Sequence, residues 1–366
     1  MPASASARVF ASFTETSAVA AIGGIGFAWL GFPAGLISGS VLAVALAALM
    51  GRPMAVPLPV ARVSFVLLGI LLGAVIRPET LKGMADWPLS IAMLILAALC
   101  IIIATASYLR VVHGWDRAAS LMGASPGSLA QVMALSAEFG LDLRAIAVVQ
   151  TLRVVMLTVG LPAGLALFGL AVSGPPPRPP VAPDIGELLI LVLLSTATAV
   201  TMLWLRFPGG LLFGAMTGSG ILHGAGWVRA DLPWWMAGAG MVALGAVAGS
   251  RFANTSPRML ASYLGAALGS FAVALTIASC FVLLVAAILP FSIANLVVAF
   301  SPGAQDTMMV LALALHLDPV FVGAHHLARF VFVTLTVSWL ARRAMPRDLV
   351  RRERKRWWHR PATFDD

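Results

Sequence analysis

Between Pro88 and Leu109 the chain reads PLSIAMLILAALCIIIATASYL, without one charged side chain. About 20 apolar residues cross the hydrocarbon of a bilayer as an α-helix, and a helix satisfies its backbone N–H and C=O groups within the segment. Runs of this kind recur along the 366 residues. Only 11% of the residues are charged and 60% are hydrophobic, with a mean hydropathy of +0.95. A soluble chain carries about 25% charged residues. The sequence therefore predicts an all-α polytopic membrane protein.

The net charge of +9 does not mark a nucleic-acid binder. Nine of the 24 Lys and Arg residues lie in RRAMPRDLVRRERKRWWHRP, Arg342 to Pro361. A basic juxtamembrane tail marks the cytoplasmic side. Cys100 and Cys280 both sit in apolar runs and imply neither a disulfide framework nor a metal motif. The helix after the polar segment ending at Glu15 is read as a retained span, not a signal peptide. The six histidines, His113, His223, His316, His325, His326 and His359, show no H-x-x-H or E-x-x-H spacing. With no thiolate pair and no carboxylate-rich helix, no metal, no cofactor and no enzyme activity are expected.

The chain repeats itself. Ser125-Pro126-Gly127 matches Ser301-Pro302-Gly303 at an offset of 176, and the same offset pairs Met133 with Met309, Asp142 with Asp318 and Arg153 with Arg329. Aligned without a gap, 125–159 and 301–335 share 10 identities in 35 positions. FPAGLISG (Phe32 to Gly39) matches FPGGLLFG (Phe207 to Gly214), and Gly69 and Gly73 match Gly245 and Gly249. The expected organisation is a first membrane repeat over 1–172, a proline-rich linker over 173–186, a second repeat over 187–341 and a basic cytoplasmic tail over 342–366.

This duplicated pattern, an SPG triplet, a Met, a Leu-Asp pair and a downstream Gln/His-x-x-Arg, resembles the AbrB-type membrane proteins of bacteria, distinct from the small DNA-binding proteins that share the name. The resemblance covers both halves. It implies a multi-pass protein of the bacterial inner membrane, in a family labelled variously a regulator, an ammonia monooxygenase and a transporter. In the family pattern an acidic residue often follows the Pro-Gly by a few positions; here the first copy has Gln131 and the second Asp306.

Each half holds five expected spans, 17–32, 34–50, 60–77, 88–110 and 143–171, then 187–206, 208–223, 233–251, 259–288 and 319–341, plus one SPG segment, near 113–140 and 290–316. If the SPG segment crosses as a broken helix, the repeats are parallel; if it is re-entrant, they are inverted. With the C-terminus inside and the tail left out, crossing puts seven Lys/Arg inside and six outside. Re-entrance puts nine inside (Arg8, Arg52, Arg62, Arg110, Arg117, Arg144, Arg206, Arg251, Arg258) and four outside (Arg77, Lys82, Arg178, Arg229). The positive-inside rule favours re-entrance, inverted repeats and cytoplasmic termini.

Serine is a good N-cap and proline suits a first helical turn, so a helix is expected to begin at each SPG. From Gly127 to Asp142 is 15 residues, about 22 Å of helix, and Arg153 lies about 16 Å beyond Asp142 in the next helix. Tip and arginine therefore reach similar depth, and the same holds for Gly303, Asp318 and Arg329. Helix N-termini and guanidinium groups both favour anions. Gln150 and His326 stand three residues before their arginines, on the same helix face. His325 points about 100° away from His326. The expected binding residues are Ser125, Pro126, Gly127, Gln150, Arg153, Ser301, Pro302, Gly303, His326 and Arg329, with Asp306 as a coupling acid. The competing reading is that the arginines cap loose carbonyls or pair with Asp306. Met133, Met308 and Met309 are read as lining or core, and the four matched glycines as close-packing positions. The leading function is secondary transport of a small organic anion, the second a membrane sensor or regulator of gene expression. The expected partners are that anionic solute and the lipid bilayer, with homo-oligomerisation left open and no nucleic acid.

Overall fold

The computed structural model describes residues 5–76, 87–126, 129–170, 184–253 and 255–344. Among them every regular element is a helix. In chain order these are α1 (Ala5–Trp29), α2 (Gly35–Leu49), α3 (Leu58–Ala74), α4 (Trp87–His113), α5 (Arg117–Ala124), α6 (Leu129–Glu138) and α7 (Leu143–Leu167). There follow α8 (Ile185–Trp204), α9 (Gly210–Gly224), α10 (Trp234–Gly249), a 3-10 turn at Ser250–Phe252, α11 (Pro257–Ile288), α12 (Ile293–Phe300), α13 (Gln305–Ala314) and α14 (Pro319–Ala344).

Six helices, α1, α4, α7, α8, α11 and α14, are long and apolar enough to cross a membrane. They carry exposed large apolar side chains such as Ile103, Leu193, Leu283 and Leu335, surface that water would not favour and hydrocarbon does. The other four expected spans are shorter, at 15 residues for α2 and α9, 17 for α3 and 16 for α10. These four pack their glycine faces on one another. The N-terminal segment expected as a polar lead is helical from Ala5, α8 already begins at Ile185 inside the expected linker, and α14 runs on to Ala344. Most of the linker (173–183) and of the basic tail (345–366) lies outside the described residues.

The contacts of the matched glycines repeat residue by residue. A Cβ on Gly69 would lie 2.4 Å from the Leu212 carbonyl oxygen, and one on Gly73 2.4 Å from that of Met216. A Cβ on Gly245 would lie 2.9 Å from the Ile37 oxygen, and one on Gly249 2.7 Å from that of Val41. No side chain fits at such separations, so glycine brings these backbones together. In each pair the contacts advance in step along the two helices, so α3 runs parallel to α9 and α10 parallel to α2. Between α1 and α2 the order reverses: Gly23 meets Gly39, and Gly35 meets Ala28. After α2 the chain stays at the start of α1, where Arg52 pairs with Glu15 and the Ala55 N–H donates to Thr16 Oγ1 at 2.9 Å. Helix α3 thus leaves from the level at which α2 ends.

Both helix–break–helix segments fold back. Near the start of α11, Tyr263 meets Trp115 edge-on with ring centroids 6.4 Å apart and donates its hydroxyl to Asp142 Oδ2 at 3.2 Å. Trp115 precedes α5 and Asp142 follows α6, so that segment leaves where it came in. Past the far end of α11, the Asp318 N–H donates to Asn295 Oδ1 at 2.9 Å, and Phe291 stacks on Phe321 with centroids 5.0 Å apart. Asp142 caps α7 by accepting the Arg144 N–H, and Asp318 caps α14 by accepting those of Val320 and Phe321.

Candidate functional site

The helices were expected to begin at the SPG triplets, but the triplets end the helices before them. Ser125 is the C-cap of α5 with φ −63° and ψ 119°, and Ser301 the C-cap of α12 with φ −58° and ψ 137°. A residue before proline is driven out of the helical region by the proline ring, so each serine turns extended. Ser301 Oγ bonds to the Val298 carbonyl and to Met308 Sδ, not to a following N–H. The next helix starts only at Gln305, with no side-chain cap. Gly127 lies outside the described residues.

Ending a helix in a membrane leaves carbonyls without donors. Gln150 Nε2 donates to Met122 O at 2.8 Å and to Ser125 O at 2.9 Å, and Arg153 Nη2 donates to Ser125 O at 3.0 Å and to Gln150 Oε1. In the second copy His326 Nε2 meets Val298 O at 3.1 Å, Arg329 Nη1 donates to Ser301 O at 2.5 Å, and Nη2 to Gly303 O at 2.9 Å and to His326 Nδ1 at 2.7 Å. Three pairings repeat at the offset of 176: 150 to 122 with 326 to 298, 153 to 125 with 329 to 301, and 153 to 150 with 329 to 326. The carbonyl-capping reading of the arginines is therefore correct. It does not exhaust them. Arg153 and Arg329 are 6% and 3% exposed, and the Nε of each has no hydrogen-bond partner.

The partners of His326 assign its tautomer. Nε2 faces a carbonyl and must donate; Nδ1 faces a guanidinium N–H and must accept. The ring is thus neutral while Arg329 holds it. His325 turns away, as its position on the helix requires. It lies among Trp87, Phe300 and Phe321, with Nε2 2.8 Å from Ser90 Oγ.

One cavity of about 190 Å³ joins the two breaks, lined by Pro126, Gln150, Arg153, Gly303, Asp306, His326 and Arg329 among others. Of the sequence-predicted residues, Ser125, Ser301 and Pro302 are not in its lining; the serines contribute through the carbonyls that the arginines hold. Met308 and Met309 are fully buried core, and Met133 is partly buried.

Among the lining residues that were missed are Gly209, Gln305 and Arg251. Arg251, expected as a loop charge, reaches the cavity from the 3-10 turn after α10 and interacts electrostatically with Asp306, in the first turn of α13. Gly209 has φ +63°, and a Cβ there would stand 3.1 Å from Gln305 Nε2 and 3.5 Å from Asp306 Oδ1. Both the conformation and the close approach call for glycine. A signal existed: at the repeat offset the counterparts of Arg251 and Asp306 are Val75 and Ala130. An opposite-charge pair is thus present in the second copy alone.

A second, more apolar cavity of about 680 Å³ is lined by Phe32 to Leu36 without Pro33, by Ala74, Val75, Asp231 and Ala237, and by the end of α13. It lies at the start of α2 and the end of α3. The arginine cavity, with Pro208, Gly209 and Arg251, lies at the start of α9 and the end of α10. The parallel pairings put these at opposite ends of the inner four-helix unit. Helix α13 begins at one cavity and ends at the other.

This is a helical membrane-type protein with a cationic cavity at two helix breaks. The chain belongs to the AbrB family, whose description is "Transition state regulatory protein AbrB" and which matches residues 36–345. It is 24% identical over 333 residues to "Putative regulator AbrB" of Escherichia coli (strain K12), covering 87% of this chain and 92% of that protein. It is 25% identical over 289 residues to "Uncharacterized protein YhjN" of Bacillus subtilis (strain 168), covering 73% and 74%.

Proposed function

We propose that the protein is a secondary transporter of a small organic anion, in the bacterial inner membrane, with a binding site between two inverted repeats. The observation that carries this reading is the pair of buried arginines, one from each half, whose Nε groups have no partner and which line the same cavity. A guanidinium in hydrocarbon costs about 2.5–3.5 kcal/mol on insertion scales. Capping a carbonyl needs no permanent charge, since Gln150 already does it at the first break.

Inversion is supported by helix direction. Helix α9, the counterpart of α2, runs parallel to α3, and α3 starts where α2 ends. Counterpart helices then point opposite ways. The return of each SPG segment to its own starting level supports it too, since five crossings per half invert the second copy. The two cavities, at opposite ends and separated by α13, fit alternating access. With Arg52, Arg62, Arg206 and Arg258 inside, the arginine cavity opens to the cytoplasm. Asp306, beside Arg251, is the proposed coupling group. No catalytic step is assigned to the protein.

A second reading, a membrane sensor that regulates gene expression, is favoured by the family's description and the name of the Escherichia coli relative. Proteoliposomes separate the two. A carrier moves labelled small acids down an imposed gradient and exchanges them against unlabelled acid. Saturable binding without flux would overturn transport and leave the sensor.

A further inference from the structure

The charges around the arginine cavity do not balance. Its lining holds three guanidinium groups, Arg153, Arg251 and Arg329, and one carboxylate, Asp306. Asp306 and the exposed Arg251 interact electrostatically and offset one another in charge without an ion-pair contact. His326 is held neutral by its two hydrogen bonds. Among the described residues neither Arg153 nor Arg329 makes an ion pair. Two buried cations therefore remain, each with one free Nε–H, and they come from opposite halves of the chain. A buried charge without a counter-charge is strongly unfavourable, so a ligand that completes the site brings two negative charges.

Resting on the anion-site reading, we propose that the ligand is a small dicarboxylate, with one carboxylate on Arg153 and the other on Arg329. The size of the cavity separates this from a compact inorganic dianion. A water takes up about 30 Å³ of the liquid, so a cavity of about 190 Å³ is larger than a tetrahedral oxyanion requires. Its wall also carries Leu129, Val154 and Phe330, apolar surface suited to a methylene chain. A monocarboxylate leaves one arginine without a counter-ion.

The test is a binding panel on the purified full-length protein at constant ionic strength, by calorimetry. The probes are malonate, succinate, glutarate and adipate, against propionate and butyrate, with sulfate as the compact dianion. We expect the best dicarboxylate to bind about tenfold or more tighter than either monocarboxylate, and tighter than sulfate. Arg153→Gln and Arg329→Gln should each shrink that preference toward unity. The wild-type panel decides even if a variant does not fold. Equal affinity for mono- and dicarboxylates overturns the dicarboxylate and leaves an anion site. Tightest binding of sulfate overturns it in favour of one oxyanion shared by both arginines. No binding of any of these probes overturns both the dicarboxylate and the anion reading.

Discussion

Arg153 and Arg329 stand 176 residues apart and do the same thing twice. Each reaches back from a long helix to the carbonyl of a serine that proline has forced out of helical geometry, at 3.0 Å to Ser125 and 2.5 Å to Ser301. Each is braced by the side chain three residues earlier, Gln150 or His326. Each has a buried Nε without a hydrogen-bond partner, and each arginine belongs to the lining of the shared cavity. In the proposed site capping and anion binding are joined in one side chain, so substitution should affect both.

Replacement of either arginine by Leu is expected to weaken binding of anionic solutes about tenfold or more. Because Leu also strips donors from buried carbonyls, it should lower stability by about 1–3 kcal/mol. Lys keeps the charge without the planar fork and should restore binding in part. Ligand-free thermal unfolding beside the binding assay reads both effects. Normal anion binding in Arg153→Leu and Arg329→Leu would place the anion elsewhere.

Gln150→Ala separates capping from charge. It removes donors from Met122 O and Ser125 O and the acceptor that steadies Arg153. The expected loss is about 1–3 kcal/mol of stability, with anion binding weakened rather than abolished. An unchanged melting temperature would mean that the break does not depend on Gln150.

Asp306 is expected to couple flux to protons. It faces Arg251 and stands beside Gln305 and Gly209 in the cavity wall. An inward proton gradient should accelerate anion uptake by the wild type, because protonation removes the negative charge that Arg251 senses in the cavity wall. Asp306→Asn should bind anion and transport it without response to the gradient. A gradient response that persists in this variant would remove Asp306 from the mechanism.

The glycine contacts give a steric prediction. Gly69→Val and Gly245→Val place side-chain atoms against backbone carbonyls and should each cost about 1–3 kcal/mol or more. Gly160, within α7, has nothing within 4 Å of a Cβ. Gly160→Ala should be neutral or gain about 0.5–1 kcal/mol from helix propensity. Equal melting temperatures for all three variants would argue against the four-helix packing.

Inverted repeats put the Asp142 and Asp318 turns on opposite membrane faces. With Cys100 and Cys280 replaced by Ser, Arg144→Cys should label only from the cytoplasm and His316→Cys only from outside. Both are exposed positions. Labelling of the two from one face would rule the inverted arrangement out.

Much of this was legible in the chain. Long apolar runs dictate helices because a bilayer leaves the backbone no other partners, and a duplicated sequence repeats its local geometry. Arg153 does reach the break, at Ser125 O, although helix α6 covers only Leu129–Glu138 of the stretch counted as helix, and the i,i+3 spacing put Gln150 and His326 beside their arginines. The serines were misread because an N-cap and a pre-proline C-cap use the same residue types; only the backbone angles at Ser125 and Ser301 tell which helix each serine closes. The partners of α2 and α3 lay in the other half of the chain, and no periodicity within a helix names its neighbour. Arg251 looked like a loop charge because exposure to a cavity and exposure to bulk water are the same thing in a sequence. Local chemistry, then, determined the helices, the breaks and the arginines that hold them. Tertiary packing alone decided that both breaks open on one cavity and that Asp306 has Arg251 to face, because those contacts join residues far apart in the chain.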